Sequence, residues 1–365
     1  MKRMFAGMVA TLLATILFFS MPAYALSASK AILLDAQTGR VLLEKNADHQ
    51  ALIASTTKIM TALVVCEQCN VLDRVRIPKE AVGIEGSSIY LREGEILTVQ
   101  ELLYGLMLHS GNDAAVALAI YCGGTVEGFA QLMNDKAHRL GLRGTHFVNP
   151  NGLDAPGHYS TARDMAVLAA YAMNNPIFAQ TVSAKTVTVG TRHLRNHNKL
   201  LWQYEGADGV KTGFTKAAGR ILVSSAIRDG RRLVAVTMND PNDWQDHAAM
   251  FDKGFSRYKI KSILSKGDPV GSVAVAGGQL GNVELIANAD YSYALADDER
   301  VEILLQGPGF VYAPVVEGAS AGYAYICIDG TPAGKVALAY GQTVEREEVK
   351  KQSLWEKIFG ANRYG

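Results

Sequence analysis

Two stretches of strand-like alternation stand more than 160 residues apart, and any fold for this chain has to account for both. The first, Lys30 to Asp35 and Arg40 to Glu44 around Gln37-Thr38-Gly39, reads as a β-hairpin. The second begins near Gly209 and includes Gly219 to Ala226 and Arg232 to Met238, joined by the hairpin dipeptide Asp229-Gly230. Between them helical periodicity dominates. Thr56 to Glu67 is strongly apolar, and Val99 to Leu108, Asp113 to Tyr121, Val126 to Leu140 and Ala162 to Met173 follow. Gln245 to Gly254 reads as one more helix, ended by its glycine. Strands at both ends with helices between them predict an α/β domain whose sheet mixes N- and C-terminal strands.

Past Tyr258 the composition shifts. Residues 259–349 are Gly-rich, with alternating strands such as Val301 to Leu305 and Gly322 to Ile328, and with Asp329-Gly330-Thr331-Pro332 as a turn before Lys335 to Tyr340. A small all-β domain is expected there, after a 26–258 domain. In the final segment, 350–365, Leu354, Trp355, Ile358 and Phe359 share one helical face beside Lys350 and Lys351. Such a stripe suits contact with a membrane surface, and equally a short helix docked on its own domain.

At the other end, Lys2 and Arg3 precede an apolar run from Met4 to Ser20 and an Ala23-Tyr24-Ala25 site. Pro22 and the small-x-small site directly after the run favour a cleaved export signal over residues 1–25 against an uncleaved anchor helix. Export to the cell envelope or beyond is expected, with the tail as a peripheral contact on the outer face of the cytoplasmic membrane. Lys+Arg 36 against Asp+Glu 35 leaves no basic excess, which argues against a nucleic-acid partner. Only 4 Cys in 365 residues argue against a disulfide scaffold. Cys66-Glu67-Gln68-Cys69 has the spacing of a redox pair or half a zinc site, but Cys122 and Cys327 are isolated in sequence, and buried or incidental thiols are expected.

Three Ser-x-x-Lys tetrads occur, Ser27-Lys30, Ser55-Lys58 and Ser256-Lys259. A pattern this loose arises by chance, so context has to separate them. Ser27 sits beside the cleavage site and Ser256 at the domain boundary, whereas Ser55 opens the apolar helix. At i, i+3 on a helix Ser55 and Lys58 share a face. A serine hydroxyl needs a base, and a lysine serves as one only where burial or a neighbouring cation favours its neutral form. The start of a buried helix supplies that burial, and its N–H groups favour a developing oxyanion.

Further on come Ser110-Gly111-Asn112, between two helical patterns, and Lys211-Thr212-Gly213, on a strand. The first offers a hydroxyl to relay protons and an amide to hold a substrate backbone. The second offers strand-edge backbone groups, a cation and a hydroxyl for an anionic terminus. The ordered trio is shared by penicillin-binding proteins and class A β-lactamases.

With Glu85-Gly86-Ser87-Ser88-Ile89-Tyr90-Leu91, Met107 to Ala115, Asn149-Pro150-Asn151-Gly152-Leu153 and Asp208 to Gly213 added, residues 28–258 resemble the serine D-alanyl-D-alanine carboxypeptidases, the low-molecular-mass penicillin-binding proteins. The 259–349 region and the tail are similar, more weakly, to that family's second domain and membrane-associating tail. The resemblance implies a β-lactamase/DD-peptidase-like catalytic domain, an antiparallel sheet flanked by helices. It implies Ser55 as nucleophile, Lys58 as its base and Ser110 as proton relay to the leaving D-Ala. Asn112 would orient the substrate amide, Lys211, Thr212 and Gly213 would hold the substrate, and the N–H groups of Ser55 and Phe214 would form the oxyanion hole. Peptidoglycan stem peptides and β-lactams are the partners so implied, and no metal or organic cofactor is.

Two departures stand out. Phe214 replaces a frequent histidine, and Asn239 to Asp246 has no basic residue where some members place a carboxylate-binding arginine. A D,D-endopeptidase would use the same scaffold. A class A-like β-lactamase needs a glutamate-activated water, and between Ser110 and Lys211 only Glu127 and Glu205 occur, neither followed by Asn at the fourth position. His193-x-x-x-His197 has metal-ligand spacing on a helix, but lacks a companion glutamate within a stretch that reads as strand or loop.

Overall fold

The two distant strand regions meet in one sheet. The structure is a computed structural model and describes residues 26–348; the expected export signal and amphipathic tail lie outside the described residues. The chain forms two compact units that divide between Ser256 and Arg257. Strands of the first are β1 (Lys30–Asp35), β2 (Val41–Lys45), β3 (Arg74–Arg76), β4 (Ile96–Thr98), β5 (Thr186–Val189), β6 (Arg192–Arg195), β7 (Ala207–Thr215), β8 (Gly219–Arg228) and β9 (Arg231–Met238). Its main sheet runs β2-β1-β9-β8-β7, antiparallel throughout, with β1 against β9 from Lys30↔Met238 to Asp35↔Leu233. Asp229 and Gly230 both take positive φ, the mirror-image turn whose twist suits a two-residue hairpin.

The helices are α1 (Lys58–Gln68), α2 (Val99–Leu108), α3 (Asn112–Gly123), α4 (Val126–Arg139), α5 (Ala162–Ala172), α6 (Pro176–Ser183), the single turn α7 (Leu200–Gln203) and α8 (Asp243–Arg257). In α1 every residue from Lys58 to Cys66 is buried, so its all-round apolarity is that of a central helix and not of a surface one. The polar exceptions, Lys58 and Thr61, are spent on the site described below.

Local signals account for the boundaries, and three differ from the sequence expectation. Ser55 is not in α1 but in a 3₁₀ turn, Ala54–Thr57, that leads into it. α8 does not stop at Gly254. A Cβ there would lie 2.7 Å from both Leu33 and Leu233 side chains, so this glycine lets the helix close onto the sheet and does not cap it. α6 was not expected, although Asn175-Pro176 marks it: the Asn175 side chain accepts from the N–H groups of Ile177 and Phe178, and Pro176 fills the first helical position.

The second unit is all-β. It holds β10 (Lys259–Leu264), β11 (Pro269–Ala276), β12 (Asn282–Ala287), β13 (Tyr291–Leu295), β14 (Val301–Gln306), β15 (Phe310–Tyr312), β16 (Ser320–Ile328) and β17 (Thr331–Tyr340). A six-stranded sheet in order β14-β16-β17-β12-β11-β15 and a β10-β13 pair surround a core of Val283, Ala324, Ile326 and Leu338. Only Asp329 and Gly330 make the turn. Thr331 and Pro332 already belong to β17, where the register shifts at Ile326/Cys327, the kind of ladder irregularity at which a proline is tolerated within a sheet.

Candidate active site

Three chain segments converge on Lys58. Its ammonium donates to Ser55 Oγ at 2.9 Å, to Asn112 Oδ1 at 2.6 Å and to the Asn151 carbonyl. The carbonyl and the carboxamide oxygen only accept, so they fix two N–H bonds of the amine. When Lys58 is neutral, its lone pair is left to face the Ser55 hydroxyl. The side chain is completely buried, and that burial holds it well below the usual lysine range; the charge of Lys211 pushes the same way, and Asp113 opposes. Lys211 is buried too, lowered to about 7 by desolvation, its Nζ donating to the Thr212 carbonyl at 2.9 Å.

Each contributing segment is locked by its own chemistry. Gly152 has φ +85°, and a Cβ on it would meet the Ala54 carbonyl oxygen at 1.9 Å, so only glycine allows the Asn149–Leu153 loop to press against the Ser55 turn. Asn149 clasps that loop by accepting from Gly152 N–H at 2.7 Å and donating to the Leu153 carbonyl at 2.9 Å. Thr61, one turn along α1 from Lys58, donates to the Pro150 carbonyl. Thr57 receives a hydrogen bond at 2.8 Å from Nε2 of His158, whose Nδ1 accepts from Val148 N–H; burial lowers that ring to about 4 and keeps it neutral.

The Ser-Gly-Asn turn joins α2 to α3 with Ser110 at φ +60°, and Ala54 beside the nucleophile has φ +45°. Non-glycine residues seldom hold this conformation, and it concentrates where a site dictates the backbone. Asn112 is bonded on both ends of its carboxamide, to Lys58 through Oδ1 and to the Glu85 carbonyl through Nδ2. Asp113 gathers the Glu85–Leu91 loop over it, accepting from Ser88 Oγ at 2.6 Å and from the N–H groups of Ile89 and Leu91. Arg192 clamps that loop from outside through the Ile89 and Tyr90 carbonyls while paired with Glu95.

Above these groups lies an open cavity of about 770 Å³, lined by Ser55, Ser87, Ser110, Thr212, Gly213 and Phe214. β7 is the outer strand of its sheet, so a row of its backbone groups is not spent on a neighbouring strand. Gly213 lets it approach the nucleophile turn, since a Cβ there would sit 3.2 Å from Ile53 O and Thr56 N. Phe214 is 64 % exposed at the cavity edge. Thus Ser55, Ser110, Thr212, Gly213 and Phe214 front the cavity, whereas Lys58, Asn112 and Lys211 lie beneath it.

Residues 239–246 carry no cation for a substrate carboxylate, but the strand beside β7 supplies one. Arg220 on β8 pairs in register with Phe214 and lines the cavity. One of its nitrogens, Nη2, donates to both oxygens of Asp243 at 2.7 and 2.8 Å, and its guanidinium lies 5.8 Å from the Trp244 ring. Its other nitrogens form no hydrogen bond within the described residues, and the side chain is 45 % exposed. Across the rim stand Arg195 over Trp202, Lys199, and His109 against His197 at 5.0 Å between ring centres. His197, lowered to about 4 by burial, Lys211 and His109, lies in a loop, and His193 on β6 is bonded to Thr188; they do not share a helix as metal-ligand spacing requires. Of the other tetrads, Ser27 ties the start of the described chain to Asp240 and Asp246, and Ser256 lies exposed in the last turn of α8.

A hydroxyl held by a buried amine beside a sheet edge defines an active-serine acyl-transfer centre. The family model described as D-alanyl-D-alanine carboxypeptidase matches residues 18–242, and that described as penicillin-binding protein 5, C-terminal domain, matches 258–346. The chain belongs to the D-alanyl-D-alanine carboxypeptidases, and it is a serine hydrolase with a DD-peptidase fold. It is 33% identical over 342 residues to D-alanyl-D-alanine carboxypeptidase DacF of Bacillus subtilis, covering 89% of this chain and 86% of that one. Against DacD of Escherichia coli the identity is 35% over 73% of each. Among solved structures, penicillin binding protein 5 from Haemophilus influenzae superposes with a TM-score of 0.76 at 29% identity, covering 90% of this chain and 100% of that one.

Proposed function

We propose that the enzyme removes the terminal D-Ala from peptidoglycan stem pentapeptides through an acyl-enzyme on Ser55, and that penicillin acylates the same oxygen. The observation that carries this is the complete burial of Lys58, which favours its neutral form, with its Nζ 2.9 Å from Ser55 Oγ. Ser55 Oγ attacks the carbonyl carbon between the two D-alanines as its proton passes to Lys58. The N–H groups of Ser55 and Phe214 receive the oxyanion. Lys58 passes the proton to Ser110 as Ser110 delivers its own to the departing amine, the C–N bond breaks, and D-Ala leaves with Lys58 neutral again. Water then attacks the ester, giving its proton to Lys58; the bond to Ser55 Oγ breaks, Lys58 returns the proton to that oxygen, and the shortened peptide departs with both groups restored.

Within this reading, Thr212 and Arg220 hold the substrate's terminal carboxylate. Asp243 occupies one guanidinium nitrogen and leaves the others for the anion. Lys211, beneath the cavity, tunes Lys58. Asn112 acts first on Lys58; orienting a substrate amide would require its bond to the Glu85 carbonyl to open.

Against rapid β-lactam turnover stands the cavity lining, in which the sole carboxylate among the described residues, Asp243, is held by Arg220. The work is placed in cell-wall maturation outside the cytoplasmic membrane, with residues 1–25 as export signal. D-Ala release from a Lys-D-Ala-D-Ala peptide should fall by about 10⁴-fold or more in Ser55→Ala. Penicillin should add its mass to Ser55 and stay. Equal release by the two proteins, or rapid loss of the adduct, overturns the proposal.

A further inference from the structure

Sequence spacing directs attention to Cys66 and Cys69, but folding brings Cys69 to a different thiol. Cys69 caps the C-terminal end of α1, its N–H bonded to the Val65 carbonyl at 2.9 Å. Cys122 occupies the last turn of α3, and the two helices pack side by side. There the two thiols neighbour each other, an interaction that lowers Cys122 and raises Cys69, while the Lys58–Asn112 bond joins the opposite ends of the same two helices at 2.6 Å. One residue before Cys122, Tyr121 donates at 2.8 Å to Asp73, four residues past Cys69, so the two chain segments are tied beside the sulfurs. On the other side Gly123 and Gly124 make a tight exit in which a Cβ on Gly123 would meet Phe129 N at 2.6 Å. Neither sulfur sits on a loose loop, and both are half-buried and reachable.

We propose that Cys69 and Cys122 are a redox-active pair that closes to an intramolecular disulfide and staples the far ends of the two helices whose near ends carry Lys58 and Asn112. The oxidant is a disulfide compound, acting by thiol–disulfide exchange. Cys122 thiolate, which the Cys69 S–H stabilises, attacks one sulfur of the oxidant; that S–S bond breaks and one thiolate leaves. Cys69 then loses its proton and attacks Cys122 Sγ in the mixed disulfide, forming the protein S–S bond and releasing the second thiolate. Two protein thiols are oxidised and one external disulfide is reduced to two thiols. Cys66 takes no part: it is buried, and desolvation together with Glu67 pushes its thiol up to about 12.

The staple bridges a loop of about 50 residues and constrains the unfolded chain accordingly. Its far-end position leaves the Lys58–Asn112 contact as it is, so its effect falls on stability and not on acylation.

The purified full chain is incubated with oxidised glutathione, alkylated, digested without reductant and mapped by mass spectrometry. Two of the four thiols should be lost to a cross-linked peptide pair containing Cys69 and Cys122, and Tm should rise by about 5–10 °C, reversed by dithiothreitol. Cys66→Ser should behave alike, Cys122→Ser should show neither change, and the rate of penicillin acylation should shift less than about twofold in the oxidised protein. Four alkylatable thiols after oxidation, glutathione adducts without a cross-link, or a Cys66–Cys69 peptide overturn the proposal. The wild-type peptide map decides even if Cys122→Ser does not fold.

Discussion

The first unit buries charge and the second does not. Among the described residues, Lys58, Lys211, Asp113, Asp35, Asp246 and His247 are all buried, and every buried polar or charged side chain lies before Arg257. The core of the second unit is aliphatic apart from Tyr340, with Tyr291 and Tyr293 packed against it, and its β14 strand leaves Val301, Ile303, Leu304 and Leu305 in solvent. All eight histidines also fall in the first unit. A domain can be assembled from alternation and turns without buried ions, as the second one shows, so the ions of the first call for another reason. Desolvating a lysine is unfavourable, and that same unfavourable term turns an ordinary ammonium into a base.

The most severe way to break the contrast is Lys58→Met. D-Ala release should drop by about 10³–10⁴-fold. Tm should move by no more than about 3 °C, because relief of amine desolvation offsets the acceptors left unpaired at Asn112 and Asn151. A large Tm loss accompanying the activity loss would make the lysine a structural member and dissolve the distinction. Next, Gly152→Ala forces a methyl into the Ala54 carbonyl at positive φ and should cost about 3 kcal/mol along with most of the acylation rate. Gly330→Ala, in a second-unit turn with φ +77° and open space around it, should cost only about 1 kcal/mol. Denaturant melts of both variants give the comparison.

Arg220→Gln should raise KM for a peptide with a free terminal carboxylate by about 10–100-fold, with little change for the C-terminal amide, and Arg220→Lys should recover part of the loss. Equal effects on both substrates would remove Arg220 from carboxylate recognition.

Acid gives the gentlest test. Burial depresses His247 to about 3 and His158 to about 4, below the 6.5 of an exposed ring. The unfolded chain therefore binds more protons as pH falls below 6.5, and stability present above that value drains away down to about 3–4. The loss is at most about 1.4 kcal/mol per pH unit for each ring. Region-resolved hydrogen exchange at pH 7 and 4.5 should show β9 losing protection while β16 holds. Parallel losses in the two units would blunt the contrast.

What sequence could reveal divides along the same line. Strand alternation, hairpin dipeptides and the three motifs are local, so the hairpins, most helices and the candidates Ser55, Lys58, Ser110 and Lys211, which the fold gathers in or beneath one cavity, are legible without coordinates. Arg220 was not, because its place beside Phe214 is a fact of β7–β8 register. Cys122 looked isolated for the same reason, its partner lying 53 positions earlier. Gly254 was misread because a glycine that ends a helix and one that lets a helix approach a sheet look alike until the facing Leu33 and Leu233 are known.

The open edge of β7 has a colloidal consequence. An outermost strand with unspent backbone groups is a template on which copies of a protein can stack and precipitate. Here Thr212, Gly213 and Phe214 of that edge strand front the cavity, so the groups that make the site receptive are also a standing hazard for self-association.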